Sequence, residues 1–213
     1  MGKYQIMREH VRNLLAQEIQ AGKLLPKDKI SELKVCEALG ISRTPAREAL
    51  LQLASEGVLE YTPRKGFRVK EFSPGEKMEV YAAIEVLDAL AGKLAVEHAD
   101  DRMIRSMNKY VDMIDIAIKY RNYPDYCALQ KKFHDIYRDQ CGNSVVRKLL
   151  SGLLEGFVPH TYSAGDEDKL FEVFKELNDD HRHIVSLFKK KDAEGLFNFL
   201  MKTHWSTRHS EMI

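Results

Sequence analysis

The chain has 213 residues, 44% of them hydrophobic and 31% charged, with 12 Gly and 6 Pro; this is ordinary globular composition, neither disordered nor collagen-like. Its apolar runs end after a few residues, as at Leu149-Leu150 and Leu153-Leu154, so a membrane span of about 20 residues is excluded. The net charge of +1 divides unevenly: 13 Lys/Arg against 9 Asp/Glu in residues 1–72, and 20 against 23 in residues 73–213, as suits a nucleic-acid-binding front half.

In chain order, helical period is expected near 5–21, 31–38 and 43–56, with Gly22 and Gly40 as stops after the first two helices. Val58-Leu59-Glu60-Tyr61 and Phe67-Arg68-Val69-Lys70 read as strands. The intervening Thr62-Pro63-Arg64-Lys65-Gly66 makes them a hairpin with a basic tip. Three helices and then a hairpin is the order of a winged helix-turn-helix. Ser42 or Thr44 can cap the third helix, and Pro45 suits its first turn. Arg43, Thr44 and Arg47 then gather at the end of that helix which meets base edges in the major groove, where arginine binds guanine bidentately. Ala49, Leu50, Leu53 and Ala54 are assigned to the core. Arg64, Lys65 and Gly66 at the wing tip are assigned to DNA backbone or minor groove.

Ser73-Pro74-Gly75 separates two compositions and sets the expected domain boundary, giving a winged domain over 1–72 and a helical domain over 73–213. Beyond it, apolar residues recur at 80, 84, 87, 91 and 94, at 103, 107, 110, 114 and 118, and at 126, 129, 133 and 137. Further stripes run over 146–157, 170–188 and 193–200. The i, i+3/i+4 spacing predicts an all-α antiparallel bundle, so the fold class is mainly α. Cys36, Cys127 and Cys141, odd in number and without Cys-x-x-Cys spacing, read as reduced packing residues of a cytoplasmic protein. The opening residues show no signal-peptide pattern.

Of eight histidines, three lie on or beside the apolar stripes: His134, His181 and His204. Inward histidines from separate helices can converge on zinc or another first-row transition metal. They can equally form a metal-free polar pocket, or serve as satisfied core residues. His10, His98, His160, His183 and His209 are assigned to the surface or to helix caps.

Gly22-Lys23-Leu24-x-Pro26, the string from Leu39-Gly40-Ile41-Ser42-Arg43-Thr44-Pro45 to Ala46-Arg47-Glu48-Ala49-Leu50, Leu53-x-x-Glu56-Gly57-Val58-Leu59 and Gly66-Phe67-x-Val69 resemble the GntR family of bacterial transcription regulators. Two departures are Lys27, where the family commonly has glycine, and Leu33, where the FadR-like members often carry an arginine or another polar residue. The second half is similar to the FCD effector domain of that FadR-like branch, through Gln130-Lys131-Lys132-Phe133-His134, Cys141-Gly142-Asn143, His181-Arg182-His183-Ile184 and Asp192-Ala193 with His204. In metal-binding members an Asp and three His hold the ion. Carried over, His134, His181 and His204 are the ligands of one divalent metal, zinc or nickel, and Gln130 occupies the Asp position one turn before His134. An arginine of the first bundle helix often binds an organic-acid carboxylate in that branch. Ile84 stands there in this chain, leaving Arg138 or Arg147 as replacements, or else as surface salt bridges. Gln130, Tyr126, Tyr137 and Arg138 are the expected effector pocket, with Phe157 and Tyr162 as further lining.

The resemblance implies a cytoplasmic homodimer on a pseudo-palindromic double-stranded operator, controlled by a small-molecule effector bound in the bundle, with metal-assisted binding as one form of that control. Two other classes stand beside it: a three-histidine metal-dependent hydrolase, and an adaptor whose winged helix no longer binds DNA. No Gly-rich phosphate loop, Gly-x-Ser-x-Gly, His-Glu-x-x-His or zinc-finger spacing occurs in the sequence, and no general base is singled out.

Overall fold

Local capping fixes where the first helices begin and end. The Ser31 hydroxyl accepts the Lys34 N–H at 3.3 Å and starts α1 (Glu32–Leu39); Gly40, at φ 64°, returns its N–H to the Cys36 carbonyl and stops it. Helix α2 (Arg43–Ser55) buries Ala46, Ala49, Leu50 and Leu53, one face at i, i+3, i+4 and i+7. The structure, a computed structural model, describes residues 7, 10–15, 18, 23–55, 57, 59–157 and 167–205, with the backbone alone at 74 and 155–157. The helix expected near 5–21 falls largely outside these residues, though Val11 and Leu15 are buried in the core of this unit.

The wing is a three-stranded antiparallel sheet in the order β1 (Lys29–Ile30), β3 (Gly66–Val69), β2 (Leu59–Thr62). Phe67, fully buried, pairs with Ile30 on one side and Tyr61 on the other. The sequence suggests only the hairpin, because a two-residue strand is too short to show alternation. Lys27 takes φ 71°, the left-handed region that suits glycine, and its N–H donates to the Val69 carbonyl at 3.0 Å. The backbone thus keeps a glycine-like turn at the position where lysine departs from the resemblance.

The chain divides into two compact units, one of Met1–Ser73 with Glu155–Thr161 and one of Pro74–Leu154 with Tyr162–Ile213. The second is helical: α3 (Pro74–Ala95), a 3₁₀ turn (Val96–His98), α4 (Asp101–Lys119), α5 (Tyr123–Arg138), α6 (Ser144–Phe157, its last three residues falling in the first unit), α7 (Glu167–Lys190), α8 (Ala193–Phe199) and a π-helical turn (Leu200–His204). Asp100, Asn122 and Asp192 cap α4, α5 and α8 by accepting the N–H of Met103, Asp125 and Gly195. Helix α4 packs on α5 and α7, and α3 packs on α8 and the π turn. Gly92 makes the latter packing possible, since a Cβ there would lie 2.6 Å from Leu200 Cδ1. The periodicity of residues 193–200 continues into the π turn instead of a regular α-helix. That wider turn brings consecutive residues His204 and Trp205 both into the interior.

Candidate functional site

In the winged unit the expected contact residues come from three places. Ser42, Arg43 and Thr44 open α2 and are exposed, and the Ser42 carbonyl accepts the Ala46 N–H. Arg64 and Lys65 form the exposed hairpin tip, closed by the Lys65 N–H donating to the Thr62 carbonyl at 3.0 Å, with Gly66 at φ 87°. Arg47 is held more firmly than its sequence position suggests. Its Nη1 donates to Glu32 Oε1 at 2.6 Å and its Nη2 to Tyr61 Oη at 3.0 Å, so α1, α2 and the wing meet on one guanidinium. The side chain is still 47% exposed. An ion pair so exposed contributes about 0.2–1 kcal/mol, whereas a bidentate guanine contact discriminates by about 1–3 kcal/mol. The hold of Glu32 on Arg47 is therefore weaker than a contact of that kind would be. Arg47, Arg64, Lys65 and Gly66, but not Ser42, Arg43 or Thr44, border a cleft of about 510 Å³ that also takes in Lys29. Lys29, Arg47, Arg64 and Lys65 face one carboxylate there, Glu32, a balance that suits phosphate. Lys29 joins through β1, which nothing in the hydropathy pattern marks.

In the helical unit the structure brings His134 of α5, His181 of α7 and His204 of the π turn together, all buried. His134 Nε2 lies 3.3 Å from His181 Nε2 and 3.2 Å from His204 Nε2. The proton on each ring follows from the partner of the other nitrogen. Tyr137 Oη donates to Asp88 Oδ2 at 2.5 Å, so it accepts from His134 Nδ1–H at 2.7 Å. Asn178 Nδ2 donates to Asp115 Oδ1 and to the Val111 carbonyl, so its Oδ1 accepts from His181 Nδ1–H at 3.1 Å. Asp180 Oδ2, 3.4 Å away, accepts from His204 Nδ1–H. With all three protons on Nδ1, three Nε2 lone pairs point at one another.

That arrangement repels itself until a cation lies between the nitrogens. Burial is the first cause that holds His134 and His181 well below the usual histidine pKa. Arg138 is the next for His134, and His204 is the next for His181. Neither ring therefore supplies the missing charge as a proton. The two Nε2 separations from His134 match the spacing of two nitrogens bound at about 2.0–2.1 Å to a tetrahedral ion, and all three ligand nitrogens lie within 4.8 Å of one another. Each ligand also has its second nitrogen anchored, as metal-binding histidines do. The residues fit a divalent transition metal.

Asp88 of α3 is the most connected of the residues that sequence reasoning missed. It is fully buried and accepts from Tyr137 Oη, from Arg138 Nε at 2.6 Å and from Trp205 Nε1 at 2.7 Å. Burial, then Asp88, raises the pKa of Tyr137 well above its usual value, so the phenol stays a donor. Burial works most strongly against the Arg138 charge, but Asp88, Tyr137 and Asp135 together outweigh it and raise the pKa. Arg138 is 5% exposed, so of its two expected roles the surface salt bridge is corrected: its nearest partner is a buried carboxylate one turn beyond Ile84, with the half-buried Asp135 3.8 Å from Nη1. Arg138 Nη2 is buried without a hydrogen-bond acceptor among the described residues. Arg147 is exposed.

Gln130 is half-buried one turn before His134 and makes no hydrogen bond to the histidines among the described residues. Tyr126 is fully buried and stacks on Phe174 at 3.7 Å between centroids, within the packing of α5 on α7. The Phe157 side chain, Tyr162, His160 and His209 lie outside the described residues. His10, His98 and His183 are exposed. A signal for Asp88 does exist in the sequence: it stands four residues after Ile84 and beside Leu87 on the apolar stripe of the 80–94 segment, where a buried charge needs a partner.

Residues 7–69 match the family described as bacterial regulatory proteins, gntR family, and residues 79–206 match the FCD domain. An uncharacterized HTH-type transcriptional regulator of Bacillus subtilis, YdhC, is 28% identical over 86% of this chain and 81% of its own length. The gluconate operon transcriptional repressor of Bacillus licheniformis is 25% identical over 80% of this chain and 71% of its own length. Among solved structures, Escherichia coli McbR/YncC superposes with a TM-score of 0.79 at 22% identity, covering 95% of each chain, which is a likeness of fold.

Proposed function

This chain belongs to the GntR family, in the FadR-like branch with an FCD domain, and is a DNA-binding transcription regulator, not an enzyme; from that premise we propose that a divalent transition metal on His134, His181 and His204 forms part of its effector site. The observation that carries the proposal is the convergence of three Nε2 lone pairs whose Nδ1 protons are committed elsewhere. A bound zinc or nickel ion would supply a Lewis-acidic centre with coordination positions open to an oxygen of the effector. Around it, His134 is oriented by Tyr137, His181 by Asn178 and His204 by Asp180. The effector is a small organic-acid anion. Arg138 Nη2, buried without an acceptor, supports a carboxylate there, and the relative named for the gluconate operon fits the same chemistry. Gln130, Tyr126 and Tyr137 complete the proposed lining.

On DNA, residues 1–72 act as the winged domain of a cytoplasmic homodimer joined through residues 73–213, with half-sites roughly 34–36 Å apart on a pseudo-palindrome. Arg43 and Arg47 read base edges, Ser42 and Thr44 hold phosphates at the start of α2, and Arg64, Lys65 and Gly66 carry the wing to the backbone. The exposure of Arg43, Arg64 and Lys65 supports this, as does the basic cleft. No helix among the described residues is long and apolar enough to cross a membrane. The test is a titration of a selected duplex against random duplex, with and without zinc and a panel of small carboxylic acids. Salt-sensitive preference for the selected duplex is expected, shifted by at least one acid only when zinc is present. Operator affinity unchanged by every acid, with or without zinc, would contradict the effector site.

A further inference from the structure

We propose that Asp88 is a positioning residue that ties occupancy of the histidine cluster to helix α3, the helix that follows the winged unit directly in the chain. The inference rests on the metal reading above and concerns what an ion at that site does to the rest of its unit. Asp88 accepts three hydrogen bonds, two from α5 and one from the residue that ends the π turn, and two of the three donors stand one step from a candidate ligand. Tyr137 Oη takes the His134 Nδ1–H at 2.7 Å and passes its own proton toward Asp88 Oδ2 at 2.5 Å. Trp205, which donates Nε1–H to the same oxygen at 2.7 Å, is the residue after His204. Arg138 adjoins Tyr137 and holds the other carboxylate oxygen at 2.6 Å.

A cation on Nε2 draws electron density out of an imidazole, so its Nδ1–H becomes a stronger donor. At His134 that change passes through Tyr137 to Asp88. Because Arg138 already pairs with Asp88, the carboxylate is in place before an ion arrives, and the ion tightens an existing chain of bonds. A second contact fixes the same face of α3. Four residues beyond Asp88, Gly92 lies so close to the π turn that a Cβ would meet Leu200 Cδ1 at 2.6 Å. Helix α3 is thus registered against the turn that carries His204 at two points one helical turn apart. Closely packed interiors leave little slack between such points, so a displacement of the turn moves the helix.

Amide hydrogen exchange on the full chain, stripped of metal and then given zinc alone, tests this. In the wild type, zinc is expected to slow exchange in α5 and α7 around His134 and His181, and also in residues 84–92 of α3. Tyr137→Phe breaks the relay and leaves the Asp88–Arg138 pair intact. At saturating zinc it is expected to keep the slowing in α5 and α7 and to lose it at 84–92, with zinc affinity reduced about tenfold or more. Trp205→Phe, which removes the other donor while keeping an aromatic ring, is expected to weaken the α3 response in the same way and serves if Tyr137→Phe does not fold. Full slowing at 84–92 in both variants overturns the proposal. A wild type that binds zinc without any change at 84–92 overturns it while leaving the metal site standing; a wild type that takes up neither zinc nor nickel overturns both.

Discussion

The winged unit and the helical unit use the same side-chain chemistry under opposite conditions. Arg47 pairs with Glu32 in water, with 47% of its side chain exposed, whereas Arg138 pairs with Asp88 at 5% and 0% residue exposure. In water such a pair is weak and exchangeable, which suits the DNA contact proposed for Arg47, since the guanidinium is released at little cost. In the interior the pair cannot be given up, and a ligand site gains by having its groups fixed before the ligand arrives. The contrast teaches that equal hydrogen-bond lengths, 2.6 Å in both pairs, say little about function until burial is known.

Substitutions that remove one partner from each pair break or sharpen that contrast. Asp88→Ala leaves Arg138 charged and buried without its carboxylate, and is expected to cost about 3–5 kcal/mol in urea unfolding. Glu32→Ala, by the same measurement, is expected to cost less than about 1 kcal/mol. Equal losses would abolish the distinction. Arg47→Ala should leave folding nearly unchanged while weakening binding to the selected operator by about 1–3 kcal/mol, read by fluorescence anisotropy.

Acid should act on the helical unit through its histidines. His134 and His181 are held neutral in the fold by burial, with pKa values well below normal, while in the unfolded chain they take up protons below about pH 6.5. Since the unfolded state then binds more protons, stability of the metal-free protein is complete above that pH and is lost as pH falls, by up to about 1.4 kcal/mol per unit for each histidine. A flat stability between pH 7 and pH 5, followed by intrinsic fluorescence of the single Trp205, would contradict the buried neutral pair. The smallest effect is expected at the wing: Lys27→Gly should stabilise by up to about 1 kcal/mol, because it relieves a left-handed backbone at φ 71°. A loss of thermal stability in that variant would show that the Lys27–Glu71 ion pair outweighs the backbone strain.

How much of each unit is legible in sequence follows from the range of its interactions. The winged unit is encoded locally: Gly40, the Ser42–Pro45 turn, the hairpin tip and the i, i+3/i+4 face of Ala46, Ala49, Leu50 and Leu53 all declare themselves within a dozen residues. What escapes there is non-local, namely β1, visible only as the partner of β3, and the hold of Glu32 and Tyr61 on Arg47. In the bundle, periodicity finds the helices and marks His134, His181 and His204 on their inner faces. It does not find the groups that orient them. Asp88, Asp115 and Asp180 act across helix interfaces, over separations such as 49 residues between Asp88 and Tyr137, and no spacing rule links them, whereas Tyr137 and Asn178 each stand three residues from the histidine they orient, on its own helix. The inward turn at His204 and Trp205 is equally hidden, because a π turn shifts the helical phase without a composition of its own.

The convergence of the three histidines is tested most directly by calorimetric titration of zinc into untagged, metal-stripped protein, paired with His181→Ala. One ion per chain, bound by the wild type and lost from the variant, is the expected result. No binding heat in the wild type, or the same stoichiometry and affinity in both proteins, would contradict it.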